Sequence, residues 1–449
     1  MDTRLTRLTF ARRVWRLASR RLHGIWRRPD FFKLWVGQSV SVFGTLVSKV
    51  ALPMAAVLLL HAEPAQIALL SAATVAPGLA LGLFAGAIVD RLRRRPVMIV
   101  ADIGRALALG SVPLAALLGR LTFAHLVVVA LLVSALTVFF DSAYPAYLPS
   151  LLPRNELAQG NSAISASFSV AEVAGFGVAG ALTQALTAPV AIGVDALTYI
   201  VSALTLGLIR QPERSPRASV ETLEEHDEGQ IDQGETQSPA IQAHRPRQLL
   251  REIAEGIRVA LGEPLPRALI GSASISTLGG ALIDVVLLLF MLDELHIAPA
   301  LVGIIWGVGG ATSFAGALLA QWALRRWGTG RMLIASLWIA RAFTFLIPVA
   351  GGPLWLAVVL LAGQQLGDAA YTIYDITQTS VLQATIPSHL LGRLYATLNV
   401  AIGIATLAGL ALGAALGQRI GLRLTLFVAA GLMALAPVLI TLSPARRLK

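Results

Sequence analysis

The chain has no cysteine among its 449 residues, and only 14% of its residues are charged. Without cysteine there is no disulfide framework and no cysteine-based metal site. Soluble domains carry about 25% charged residues, so this chain lacks the polar surface that two soluble domains need. Motifs for ATP binding, zinc hydrolysis and serine hydrolysis are also missing, which argues against ATP-driven pumping and intramembrane hydrolysis. We therefore expect no enzyme activity, no metal site and no cofactor.

Hydrophobic residues dominate the chain instead, at 56% of the total, and the mean hydropathy is +0.71. Twelve apolar segments follow one another, each near the roughly 20 residues that a helix needs to cross a bilayer. We therefore predict an all-α polytopic membrane protein with 12 transmembrane helices in two six-helix bundles. The predicted spans are 31–60, 65–89, 96–118, 122–148, 157–186, 188–209, 266–292, 298–323, 331–350, 353–385, 391–417 and 423–442.

The net charge of +11 comes with arginines placed in alternate connections between these segments. Nucleic-acid binding is one interpretation of such a charge, but arginine-rich short loops mark the cytoplasmic side of a membrane protein. The other connections are poor in arginine and lysine, apart from Arg120 and the Arg419–Arg423 turn. We therefore expect no nucleic-acid partner, a lipid bilayer environment and both termini in the cytoplasm. The basic positions are Arg91–Arg95, Arg154, Arg325–Arg331, Arg393, Arg446, Arg447 and Lys449.

Two polar regions set the domain boundaries. Residues 1–30 hold nine arginines and no apolar core of signal-peptide length, which indicates a basic cytoplasmic tail, either a membrane-surface helix or a disordered segment. Residues 211–262 are too hydrophilic to pack a core and indicate a cytoplasmic linker that ends in a surface helix. Six-helix bundles are then expected at 31–210 and 263–443, followed by a cytoplasmic C-terminal tail at 444–449.

The two halves of the chain repeat each other. Asp141 recurs 234 positions later as Asp375, and Arg105 recurs 236 positions later as Arg341. A parallel repeat of two six-helix halves is typical of transporters in which one half rocks against the other around a central site.

The connection after the second segment carries a recognisable pattern, Gly-Ala-Ile-Val-Asp-Arg-Leu-Arg-Arg-Arg at Gly86–Arg95. It resembles the loop signature of the major facilitator superfamily, Gly-x-x-x-Asp-Arg-x-Gly-Arg-Arg/Lys, with Arg93 in place of the glycine. The resemblance implies two six-helix bundles, alternating access and a small-molecule substrate, and we expect a monomer. In that family the loop aspartate and arginines hold the halves together in the outward-open state.

By this resemblance we expect a conformational latch at the cytoplasmic face. Asp141, at the lower end of the fourth segment, can reach Arg91 or Arg94, and Asp375 can reach Arg331 in the second half. The expected latch residues are Gly86, Asp90, Arg91, Arg94, Asp141, Arg331 and Asp375.

Polar residues recur three or four positions apart along several predicted helices, which places them on one helix face. Because polar groups facing lipid are costly, such faces are expected to line an internal cavity, although hydroxyls that only join helices are an alternative. The expected cavity-lining residues are Gln38, Ser41, Thr45, Ser165, Ser169, Gln364, Asp368 and Tyr371.

Ionisable residues inside the spans need a partner or a cavity, because each costs about 2.5–3.5 kcal/mol at mid-helix. Glu172 is the first candidate for proton coupling, with Lys49 as the charge that approaches it and Asp284 as the second candidate. A static Glu172–Lys49 ion pair is the alternative. For Arg105 and Arg341 we prefer a structural ion-pair role, with Asp102 as a local partner of Arg105.

Two stretches narrow the resemblance further: Ala143–Pro153 after the fourth segment and Asp195–Ala203 in the sixth. Both resemble the bacterial drug-exporter branch that includes macrolide efflux and enterobactin export proteins. This implies proton-driven export of an amphipathic small molecule of the drug, antibiotic or siderophore class across the bacterial inner (plasma) membrane, with protons as the coupling ion. The fifth segment carries only a partial antiporter signature, because Phe176 and Ala179 replace a proline and a glycine. Uptake, lipid flipping or a transporter-like sensor are the alternatives, and the substrate itself is not specified.

Overall fold

Helices account for nearly all of the described chain. The computed structural model describes residues 24–153, 155–211, 213, 262–386 and 388–447. Within those ranges twelve helices are long and apolar enough to cross a membrane, and none of the residues forms a strand, which confirms the predicted fold class. The basic tail up to residue 23, Arg154 and nearly all of the linker lie outside the described residues, including its expected surface helix.

Each helix begins and ends within four residues of the predicted segment. Pro29, Pro64, Pro264 and Pro299 start four of them, in the first turn, where a missing backbone N–H costs nothing. The helices are α1 Pro29–Leu60, α2 Pro64–Val89, α3 Arg94–Leu117, α4 Phe123–Leu151, α5 Leu157–Leu186, α6 Ala188–Gly207, α7 Pro264–Glu294, α8 Pro299–Trp327, α9 Thr329–Val349, α10 Leu354–Thr385, α11 Ser388–Ile420 and α12 Leu422–Leu442.

The helices pair in the same way in both halves. In the first half α1 packs against α5 and α6, while α4 packs against α2 and α3, and α3 also packs against α6. In the second half α7 packs against α11 and α12, while α10 packs against α8 and α9, and α9 also contacts α12. Thr187 and Gly421, 234 positions apart, form equivalent one-residue turns with φ of 82° and 84°. The pseudo-repeat therefore extends to the backbone of the connections.

Two helix pairs, α5 with α8 and α2 with α11, make most of the contacts between the halves, and α7 also contacts α2 and α1. The backbones of α5 and α8 meet at the end of the bundle where α2 and α8 begin, which we call the distal end. There Gly180 and Gly303 bring the backbones of α5 and α8 together, since a Cβ on Gly303 would lie 2.8 Å from Gly180 Cα. The Gln184 side chain accepts a hydrogen bond from the Ala300 N–H at 3.0 Å.

The other end of the bundle, which we call the basic end, carries the α2–α3 hairpin and residues 24 and 447. At this end Asp90 and Arg91 are exposed, and nothing lies within 4 Å of a Cβ placed on Gly86. The halves are thus in contact at the distal end and separated near this hairpin, so the space between them opens towards the basic end.

Candidate functional site

A cavity of about 790 Å³ lies between the two halves, and helices of both halves line it. Much of its wall is apolar, with side chains such as Leu70, Val129 and Leu288. Five of the described lining residues are ionisable: Lys49, Glu172, Asp195, Asp284 and Asp368. A volume of this size, with apolar walls and a few polar groups, is typical of a small-molecule site.

The three residues predicted to couple protons meet in this cavity. Lys49 is the twenty-first residue of α1, and Asp284 is the twenty-first residue of α7, so they occupy equivalent positions of the repeat. Lys49 attracts Asp284 electrostatically, and Glu172 lines the same cavity from α5. Among the ion pairs of the described residues none includes Lys49 or Glu172. The static Glu172–Lys49 pair is therefore not formed in this conformation.

Two aromatic rings from opposite halves meet edge to face in the cavity. Phe176 of α5 and Trp306 of α8 have ring centroids 6.3 Å apart at an interplanar angle of 73°. Gly303 and Gly310 place them there, because both glycines let α8 approach the backbone carbonyls of α5. The Lys49 Nζ lies 5.9 Å from the centroid of the Phe176 ring, which is within cation–π range.

A buried arginine stands behind the first-half wall of the cavity. Arg105 is 4% exposed, is ion-paired to Asp102 on its own helix as predicted, and lies between two rings. Its guanidinium carbon is 4.4 Å from the centroid of Phe140 and 4.3 Å from that of Tyr199. These contacts fix the side chain, which favours a structural role.

Asp195 is a cavity residue that the sequence reasoning does not select. It is 1% exposed on α6, and its Oδ1 accepts a hydrogen bond from Thr198 at 3.0 Å. Ser48 of α1 is a second hydrogen-bonding neighbour of this carboxylate. The available signal is its position, since a carboxylate in the middle of an apolar span is a functional-site hypothesis in its own right.

The predicted cavity-lining residues of the first half divide into three groups. Thr45 lines the cavity, and its hydroxyl lies 2.9 Å from the Tyr199 hydroxyl. Gln38 and Ser41 are buried within the first half instead, and the Gln38 amide donates to Ser202 at 3.5 Å. Ser169 and Ser165 are on α5, about one and two turns respectively from Glu172 towards the basic end.

In the second half Asp368 lines the cavity, and Arg341 attracts it electrostatically. Gln365, rather than the predicted Gln364, is a lining residue, and its amide donates to the Ile305 carbonyl at 3.0 Å. The ring of Tyr371 lies against Arg341, with 5.1 Å between the guanidinium carbon and the ring centroid.

The residues of the expected latch are unpaired at the basic end. None of the ion pairs among the described residues includes Asp90, Arg91, Arg94, Asp141, Arg331 or Asp375. An unpredicted residue holds the hairpin: the Glu213 carboxylate accepts hydrogen bonds from the backbone N–H groups of Arg94 and Arg95 at 2.6 and 3.2 Å. The latch stays a prediction, for a conformation in which the basic end is closed.

A family model described as Major Facilitator Superfamily matches residues 34–270 and again residues 269–448. The chain belongs to this superfamily. Its members are transporters and not enzymes, and the two matches correspond to the two six-helix halves.

Relatives in the superfamily include drug exporters. The chain is 26% identical to the multidrug efflux pump Tap of Mycolicibacterium fortuitum, over 72% of this chain and 73% of that protein. It is 26% identical to macrolide efflux protein A of Streptococcus pyogenes, over 42% of this chain and 46% of that protein. An uncharacterized MFS-type transporter of Mycobacterium tuberculosis is also 26% identical, over 83% of this chain and 82% of that protein.

Solved structures share the fold at low sequence identity. A bacterial homologue of the iron transporter ferroportin in its inward-facing state superposes with a TM-score of 0.70 at 18% identity, covering 92% of this chain and 98% of that one. The same homologue in its outward-facing state covers the same shares at 17% identity and gives a TM-score of 0.55. Of the two states of this homologue, the inward-facing one therefore superposes better on this chain.

Proposed function

We propose that this superfamily member is a secondary active transporter that exports an amphipathic small molecule by proton-coupled alternating access. The observation that carries the proposal is the cavity of about 790 Å³ between the halves, which has apolar walls and contains Lys49, Glu172 and Asp284. Apolar walls suit the hydrophobic part of a substrate, and ionisable groups at the same place suit a coupled proton.

The direction of transport rests on orientation. If the positive-inside rule holds, the basic end faces the cytoplasm, and this conformation is inward-facing and ready to take up a substrate from the cell. The higher TM-score with the inward-facing ferroportin homologue supports this interpretation. Export is supported by the similarity to Tap and to macrolide efflux protein A, two proteins whose names describe efflux.

In the proposed cycle Glu172 exchanges protons as the cavity changes sides. A carboxyl group in a low-dielectric cavity favours its protonated form, and an approaching ammonium favours proton release. Lys49 and Glu172 line one cavity without forming an ion pair in this conformation, so a change in their distance can alter proton affinity. Asp284, equivalent to Lys49 in the repeat, is the second proposed proton site.

A flux assay in proteoliposomes tests the proposal. Purified protein is reconstituted with a panel of neutral, cationic and anionic fluorescent amphipathic compounds, with and without an imposed pH gradient. We expect at least one compound to accumulate against its gradient when protons flow the opposite way, and to equilibrate only when the gradient is collapsed. Equilibration that ignores the pH gradient would indicate a flippase or uniporter, and no movement of any compound would favour a sensor.

A further inference from the structure

The charges around the cavity do not balance. Glu172, Asp195, Asp284 and Asp368 line it, and Lys49 is the cation among the described lining residues. Behind the wall, the charges of Arg105 and Asp102 neutralise each other in an ion pair. Arg341 attracts Asp368 and is therefore counted with the cavity. Two cations therefore stand against four carboxylates, so the cavity carries an excess of negative charge whenever the proposed proton sites, Glu172 and Asp284, are deprotonated.

Lys49 shows where a cation is held in this cavity. Its ammonium lies 5.9 Å from the centroid of the Phe176 ring and attracts Asp284 from the opposite half. Trp306 packs edge to face against Phe176 and completes the aromatic part of the site. Aromatic faces with a nearby carboxylate are the chemistry that recognises ammonium and other organic cations.

Resting on the proposed transport function, we infer that the substrate is a hydrophobic organic cation whose charged group binds against the edge-to-face pair of Phe176 and Trp306, next to Asp284. The Lys49 ammonium lies beside this aromatic pair and competes with the substrate for the same place. Because Phe176 belongs to the first half and Trp306 and Asp284 to the second, one bound cation contacts both halves. Binding of the substrate is therefore coupled to the relative position of the two halves.

The test measures equilibrium binding by the purified full-length protein, with no gradient and no flux. The probes are tetraphenylphosphonium, a permanent hydrophobic cation, and triphenylphosphine oxide, a neutral compound of similar hydrophobic character. Lys49→Met should tighten tetraphenylphosphonium binding by at least about tenfold, because two like charges at an effective dielectric constant near 20 repel that strongly even at a separation of about 12 Å. Triphenylphosphine oxide binding should stay unchanged.

Lys33→Met is the matched control, because Lys33 is on the same helix and pairs with Asp30 at the basic end. It should leave tetraphenylphosphonium affinity unaltered. Phe176→Leu keeps an apolar side chain but removes the ring, and it should weaken tetraphenylphosphonium binding by about 2- to 30-fold. This second variant decides the matter if Lys49→Met does not elute as a folded protein in size-exclusion chromatography.

An unchanged or weaker tetraphenylphosphonium affinity in a folded Lys49→Met variant overturns the inference. So does an equal gain for the neutral probe, or no loss in Phe176→Leu. Failure of the transport proposal gives a different result, in which tetraphenylphosphonium binds and responds to both substitutions while a pH gradient drives no accumulation in vesicles.

Discussion

At the scale of single residues, the cavity depends on a few charges that have no close partner. Arg105 is held by Asp102 and two aromatic rings, so its position is fixed by packing. Lys49 and Glu172 face the same open space and form no ion pair. Groups without a fixed partner are able to change their protonation or their contacts as the cavity opens and closes, which suits coupling.

We predict that Glu172→Gln abolishes proton-driven accumulation while substrate binding and downhill exchange persist. The amide keeps the size and polarity of the side chain but binds no proton at physiological pH, so it separates coupling from binding. The measurement is uptake into proteoliposomes with and without a pH gradient, together with exchange at equal concentrations. Glu156→Gln is the control, because Glu156 pairs with Arg28 at the basic end, away from the cavity. If Glu172→Gln still pumps against a gradient, Asp284→Asn is the next variant to measure.

At the scale of helices, the crossing of α5 and α8 brings the halves together at the distal end. Gly180 and Gly303 meet there backbone to backbone, and no side chain fits between them. Close helix approach at small residues is typical of membrane interfaces. The same crossing sets the separation of Phe176 and Trp306, so the distal contact and the aromatic part of the cavity belong to one structural unit.

We therefore expect Gly303→Val to disfavour the conformation with a closed distal end. A Cβ at this position would lie 2.5 Å from the Phe176 carbonyl oxygen, and overpacking of this kind costs about 1–3 kcal/mol. Cysteines at Gln184 and Ala300, which are in contact here, report the closed state by cross-linking, and the chain has no other cysteine to interfere. The cross-linking yield should fall in Gly303→Val. Gly431→Val is the matched control, since nothing lies within 4 Å of a Cβ at Gly431, and an equal fall there would rule out the explanation.

At the scale of the whole molecule, the twelve spans of the described residues place residues 24 and 447 at the same end of the bundle. The distal connections are short and contain few arginines. Arg423 is one of the exceptions, and it makes contacts that join two helices. Arg423 pairs with Glu294 at 2.9 Å and lies 5.1 Å from the Phe290 ring centroid, so it joins α12 to α7. The positive-inside rule predicts few arginines at the distal end. Because Glu294 neutralises Arg423, this arginine is only weak evidence against a cytoplasmic basic end.

Orientation is tested by labelling single cysteines in intact cells. A cysteine at Ser215 in the linker should not react with a membrane-impermeant reagent in intact cells. It should react once the cells are permeabilised and the reagent reaches the cytoplasmic side. A cysteine at Arg120, which is exposed in the α3–α4 connection, should react from outside. A membrane-permeant reagent that labels both positions is the control, and the reverse accessibility would invert the assignment of the cytoplasmic side.

The sequence by itself determined the number and approximate limits of the helices. Each span needs a long apolar run whatever its neighbours are, and this requirement is local in the chain. It also determined the repeat, because Asp141 and Asp375 recur at a fixed offset. The candidate proton sites followed from the same rule, since charged residues such as Glu172 and Asp284 stand out within apolar segments.

Only the tertiary structure decided which of these groups share a space. Helix periodicity shows that Gln38 and Thr45 lie near one face, and both contact α6, but the cavity reaches only Thr45, two turns further from the basic end. Phe176 and Trp306 come into contact because α5 and α8, which are far apart in the chain, cross there. The position of the Lys49 ammonium beside Phe176 depends on the same packing. Such contacts arise from side-chain packing between elements, a long-range property that no local pattern of residues encodes.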